Sequence, residues 1–216
     1  MTANKPAYNI AIDVVVEAPA WRKAVRGVEG VCEHAARAAL VGGLPGSSAA
    51  GLVLLDRPFE VCVALEDDAS VQELNRAFRG QDKPTNVLSF AALEDADGHV
   101  LPPITDGPDN DDDEPETLGD VIIAFETTRD EAARDGKPLA DHLSHLVVHG
   151  VLHLLGHDHI EDAEARRMER LETRILAALG IADPYADRPD DGADGADVTP
   201  DPPGSGTGDH ERPDPE

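Results

Sequence analysis

Aromatic residues are scarce in this sequence. Phe, Trp and Tyr make up only 3% of its 216 residues, so Ala, Val and Leu must fill most of any core. Cysteine is nearly absent: Cys32 and Cys62 are the only two, and they form no C-x-x-C pair. That excludes a disulfide-stapled scaffold or a thiolate metal site, and both read as small reduced core hydrophobes. No stretch approaches the roughly 20 apolar residues a membrane-spanning helix requires. Met1 to Asn9 lacks a basic patch followed by an apolar run, which argues against a signal peptide and for a cytoplasmic location. Positive charge is also in short supply, with 18 Lys and Arg against 44 Asp and Glu.

The net charge of −26 is unevenly spread. Residues 94–117 hold ten acidic residues and no Lys or Arg, and residues 183–216 carry a net −9. These two segments supply −19, so the imbalance says little about the surface of the folded core. The expected organisation is one domain over residues 1–185, interrupted by an acidic loop insertion at 94–117, then an acidic disordered tail at 186–216. No internal repeat is present.

Hydrophobic periodicity predicts strands over 8–16, 59–66, 85–90 and 120–125. It predicts helices over 22–41, from Asp67 or Asp68 to Arg79, over 126–134, from Pro138 to Leu155, and over 162–179. Gly42-Gly43, Asp135-Gly136, Gly156 and Gly180 read as helix stops. The fold class is α+β, with about four strands in a mixed sheet and helices concentrated toward the C-terminus.

The informative stretch is His149-Gly150-Val151-Leu152-His153-Leu154-Leu155-Gly156-His157-Asp158-His159. His149 and His153 are four apart, so a helix projects both from one face with Cβ atoms roughly 5–6 Å apart. Both imidazoles can then reach a single ion at about 2.0–2.1 Å. Gly156 can reverse the chain and return His159 as a third ligand. The spacing H-x-x-x-H-x-x-G-x-x-H is the ligand framework of the metzincin metalloproteases. Gly150 stands where those enzymes place a catalytic Glu, so their protease mechanism loses its base. Three imidazoles without a nearby cysteine favour an open, catalytic Zn2+ site, or one for another divalent transition metal, over a closed structural one. His145, His157 and Asp158 are the candidates for a fourth ligand; His145 reads better as an outer partner or lining residue, and Asp158 as a turn or orienting residue.

A second block spans Leu74 to Phe90 and reads as a helix end with Arg76 and Arg79, a turn with Lys83, then a strand. Guanidinium groups suit phosphate, but cations at a helix C-terminus are also favoured by the macrodipole.

Taken together, FRG-x-DKPTNVLSF at 78–90, the strand from Gly119 to Ile123 and HG-x-LHL-x-GHDH at 149–159 resemble the YbeY family of bacterial endoribonucleases. The resemblance covers roughly residues 8–185. It implies a metal-dependent, single-strand-specific endoribonuclease that matures the 3′ end of small-subunit ribosomal RNA and serves ribosome biogenesis. It carries His149, His153 and His159 over as metal ligands for one Zn2+ per chain and Arg79 as the important arginine. The implied partners are single-stranded RNA and the ribosome or its small-subunit proteins, with no membrane. A non-enzymatic ribosome-assembly factor with a structural metal, and a metallohydrolase of another class such as a peptidase, are the competing readings.

So acidic a chain should bind RNA weakly by itself, because polyanion binding relies on Lys and Arg releasing counterions. Arg22, Lys23 and Arg26 on the first helix, with Arg76, Arg79 and Lys83, are the cations expected to line one basic groove. The acidic tail is expected to restrict nonspecific binding. Deleting residues 186–216 should therefore raise RNA affinity most at low salt, and an affinity unchanged across a salt titration would count against that role.

Overall fold

The computed structural model describes residues 10–45, 59–92, 116–157 and 162–186. Ten elements run along the described chain. They are β1 Ile10–Val16, α1 Ala20–Ala24, α2 Val28–Gly43, β2 Phe59–Glu66, α3 Asp68–Arg79, β3 Val87–Ala91, β4 Glu116–Ala124, α4 Phe125–Arg134, α5 Leu139–Leu154 and α6 Asp162–Ala178. The strands form one sheet in the order β1-β2-β4-β3. β1/β2 and β2/β4 are parallel, and β3/β4 is antiparallel. This is the mixed four-stranded α+β sheet that the periodicity implies.

Alternation along β2 decides which face is buried. Val61, Val63 and Leu65 point into the main core with Val121 and Ile123 of β4, beneath apolar residues of α2, α5 and α6. Val63 lies in register with Val14 on one side and Val121 on the other, so a β-branched row crosses three strands. The opposite face carries a smaller cluster in which Val71 and Leu74 of α3 cover Leu88, Phe90 and Ile122. Asp67 caps α3 by accepting from Ser70 N at 2.9 Å. The beginnings of α3 and α4 hold each other: Thr127 N and Oγ1 donate to Asp68, and Asp68 N donates to Glu126. Each carboxylate therefore satisfies N–H groups that a helix start leaves orphaned.

Three expectations need correction. The helix expected over 22–41 is two helices, α1 and α2, separated at Gly27, whose φ of 66° is left-handed. Trp21 explains the break: it is fully buried, donates from Nε1 to Glu66 O at 3.1 Å and packs edge-on against Phe125. Anchoring that ring sets α1 independently of the α2 stripe. Gly42-Gly43 does not stop α2, which continues through Gly43. A Cβ at Gly43 would lie 2.5 Å from Leu152 and 2.8 Å from Leu155, so this glycine permits close approach of α2 to α5. Finally, Glu116 and Thr117, placed in the acidic loop by composition, belong to β4. Residues 93–115 and the tail from 187 onward lie outside the described residues.

Both cysteines are free, Cys32 buried in α2 and Cys62 half-buried in β2. Burial, with a smaller contribution from Glu29, pushes the Cys32 thiol up to about 12. Only the thiolate reacts readily. Cys32 should therefore resist iodoacetamide at pH 8 in the native protein and become labelled in denaturant, as peptide mass mapping would show.

Candidate functional site

α5 is buried around most of its circumference, with Leu143, Leu146, Val147, Val148, Val151, Leu152 and Leu154 all in the core. Its polar stripe consists of His142, His145, His149 and His153, spaced three and four apart so that one face carries all four. Successive ring centroids stand 6.2, 6.4 and 4.6 Å apart. Gly156, with a φ of 83°, ends the helical run, and His157 Nε2 then donates to Gly43 O at 2.9 Å. His157 thus ties the reversal to the end of α2.

The expected pair does converge. His149 Nε2 and His153 Nε2 are 3.1 Å apart. Two nitrogens bound tetrahedrally to one ion at about 2.0–2.1 Å stand about 3.3–3.4 Å from each other. The pair is therefore already at ligand spacing. On the other side of its ring, His149 Nδ1 donates to Glu172 Oε1 at 2.7 Å. A carboxylate only accepts, so the proton belongs on Nδ1 and a neutral ring presents its lone pair at Nε2. Both observations fit these two residues to a zinc-like ion.

Glu172, on α6, is only 1% exposed and gathers three donors. Besides His149, it accepts from His145 Nε2 at 3.0 Å and from the Tyr185 hydroxyl. Burial alone would raise its carboxyl, but the hydrogen bonds it accepts from His145, His149 and Tyr185 outweigh that and hold it at about 2. Tyr185 is itself held in place: Lys137 Nζ donates to Pro184 O, and Tyr185 N and Thr173 Oγ1 both donate to Asp183. His145 thus shares a carboxylate with His149. Farther along the stripe, His142 Nε2 donates to Glu131, which also accepts from Asn86 Nδ2. Burial lowers the His142 pKa against the pull of Glu131, and its buried Nδ1 has no partner among the described residues.

Arg79 approaches the site from the sheet edge. Ala124 N donates to Asn86 O and Ala92 N to Leu118 O, so the alternate residues Val87, Ser89 and Ala91 turn their backbone groups away from β4. Arg79 Nη2 donates to one of these, Ser89 O, at 3.2 Å. The Ser89 side chain faces α5: a Cβ built on Gly150 would come within 3.1 Å of Ser89 Oγ and 2.5 Å of Val121 Cγ1. One serine therefore lies between the arginine and the helix residue adjacent to His149. The same contacts explain why Gly150 carries no catalytic acid. Nothing larger than hydrogen fits there.

His159 and Asp158 lie outside the described residues, so the convergence shown here is that of His149 and His153. Among the described residues, no group of three His, Cys, Asp or Glu side chains gathers to hold an ion. Arg22 pairs with Glu29 at 2.7 Å, so this cation of the first helix is already partnered. Glu172 and Tyr185 were not singled out from the sequence. A signal for Glu172 exists: it occupies the apolar stripe of α6 with Met168, Leu171, Ile175 and Leu176, where a charge requires a partner. Tyr185 gave no comparable signal, since it reaches Glu172 only after the chain turns beyond α6.

A family model described as Endoribonuclease YbeY matches residues 48–180. A relative named Endoribonuclease YbeY from Paramagnetospirillum magneticum is 50% identical over 179 residues, spanning 83% of this chain and 98% of its own. Another of that name from Rhodospirillum rubrum is 54% identical over 167 residues, 77% of each chain. A solution structure of a Thermotoga maritima protein aligns at 20% identity and a TM-score of 0.42, covering 78% of this chain and 91% of that one.

Because Val121 is fully buried and short, it cannot move aside for a new methyl at position 150. Gly150→Ala should cost about 1–3 kcal/mol by overpacking, lowering Tm by several degrees. An unchanged melting curve would show that α5 can lift from the sheet.

Proposed function

This chain belongs to the YbeY endoribonuclease family, and from that premise we propose that it is a metal-dependent, single-strand-specific endoribonuclease. Its proposed role is in ribosomal RNA processing, at the 3′ end of the small-subunit RNA, and in ribosome biogenesis in the cytoplasm. The observation that carries the reading is the His149–His153 pair at ligand spacing, with His149 held from behind by buried Glu172. His149, His153 and His159 would hold one zinc or similar divalent ion. When bound, the ion supplies Lewis acidity and lowers the pKa of water, to about 7 for zinc.

The protein's own groups account for the remaining requirements. Glu172 keeps the His149 ring fixed and its Nδ1 protonated, leaving Nε2 as the coordinating atom. Arg79, pinned to the β3 edge through Ser89 O, supplies a permanent charge for a phosphodiester whose negative charge grows during cleavage. Gly150 leaves no space for a carboxylate beside His149, which disfavours a peptidase using a helix-borne base. The RNA strand finds its cations in Arg76, Arg79 and Lys83, which are exposed at the end of α3. With few such cations, presentation of the substrate by the small ribosomal subunit or its proteins would make up for weak intrinsic affinity. No helix among the described residues is long and apolar enough to cross a membrane.

Two substitutions test the assignment. His153→Ala should lose both the bound metal, read by metal analysis of the purified protein, and RNA cleavage. Arg79→Ala should keep the metal and cleave on the order of 10²–10³ more slowly. Equal rates for Arg79→Ala and wild type would remove the arginine from the mechanism, and full cleavage by a metal-free His153→Ala protein would remove the ion.

A further inference from the structure

Phe78 is the exception to an otherwise well-buried set of large apolar side chains. It is 67% exposed, the only large hydrophobic residue in that state among those described. The preceding turn does not leave its backbone loose. Asn75, 4% exposed, donates from Nδ2 to Lys83 O at 2.8 Å and accepts from Gln81 N through its carbonyl, closing the end of α3. Gly80 at a φ of 67° completes the stop. The ring is braced as well: Phe90 lies edge-on with centroids 5.2 Å apart. Phe90 in turn packs with Leu74 and Ile122 in the smaller core cluster.

An exposed ring on a fixed turn is a flat apolar surface that does not have to be organised before a ligand arrives. Its surroundings indicate which ligand. Arg76, Arg79 and Lys83 are exposed on the same helix end and turn, and the nearby Asp82 carboxylate is engaged by Gln72 Nε2 at 2.9 Å. A protein interface would call for a contiguous apolar core; a single ring among cations offers none. One ring to receive a base, flanked by charges to receive phosphates, is the pattern that suits single-stranded nucleic acid.

We propose that Phe78 is a stacking platform for an unpaired base of the RNA strand, next to the phosphate bound by Arg79. The assignment rests on the endoribonuclease reading above and adds to it a physical source of single-strand preference. In a duplex, both faces of each base are covered by its neighbours, so the ring gains nothing. In an unpaired strand a base can leave the stack and lie on Phe78. Arg79 is the next residue, and its anchor on Ser89 O places it at the β3 edge, one serine from α5. Base recognition and the cleavage site are thereby joined by two consecutive residues.

The test measures binding of a short fluorescein-labelled single-stranded RNA to the full chain carrying His153→Ala, which blocks cleavage. Adding Phe78→Ala should weaken binding about 5- to 150-fold, the range for loss of one base stack, while Phe78→Trp retains it. The slope of log affinity against log salt should stay the same for Phe78→Ala and fall by about 0.7 for Arg76→Ala, since only the latter removes a phosphate contact. In the chain with its histidines intact, Phe78→Ala should act mainly on KM. Equal affinity of Phe78→Ala and its parent, or of Phe78→Leu and its parent, would overturn the stacking role and assign the ring to a protein contact or a general apolar one. If the parent binds no RNA at any salt concentration, the platform falls, while the nuclease reading falls only if the chain with its histidines intact also fails to cleave RNA.

Discussion

The site depends on one buried carboxylate. Glu172 projects from α6 into the seam with α5, where a charge is stable only if donors surround it. It finds them in His145, His149 and Tyr185, contributed by two separate parts of the chain. Satisfying that charge fixes the His149 ring and its tautomer, aligns α6 with the histidine stripe and draws the segment after α6 back across the seam. The electrostatic demand of one residue thus organises the groups that the proposed chemistry needs.

A second constraint is how closely α5 lies against its neighbours. Gly43 lets α2 come down on Leu152 and Leu155, and Gly150 lets the helix settle on Val121 and Ser89. These contacts bring a histidine-bearing helix to within one side chain of the strand that Arg79 clasps. A carboxylate beside His149 and this close packing cannot coexist. The missing acid and the approach of α5 to the strand held by Arg79 therefore have a common steric cause, and the proposed chemistry relies on an ion and a fixed cation.

Charge is segregated in the same spirit. Most of the net negative charge, −19 of −26, comes from residues 94–117 and 183–216, while the end of α3 keeps exposed cations beside an exposed ring. Net charge is a poor guide to what such a chain can bind, because a strand of RNA meets a local surface rather than a total. The turn at Asn75 and Lys83 holds that surface still.

Elements governed by near neighbours in sequence were legible without coordinates. The β2 alternation, a cap at Asp67 or Asp68, the span of α5 and the i, i+4 histidine pair all follow from periodicity and side-chain chemistry acting over a few residues. Where the sequence misled, a distant contact had overridden the local rule. Trp21 reaches Glu66 and Phe125 and breaks one expected helix into two, and Gly43 serves packing against α5 where its type suggests a helix stop. Glu172 left a faint trace as a charge in an apolar stripe; Tyr185 left none. The amino-acid sequence by itself determined the histidine types and spacing and the α+β pattern, since these are properties of neighbouring residues. Only the tertiary structure decided what stands behind His149 and what excludes a side chain at position 150, because buried charge and close packing are settled between segments far apart in the chain.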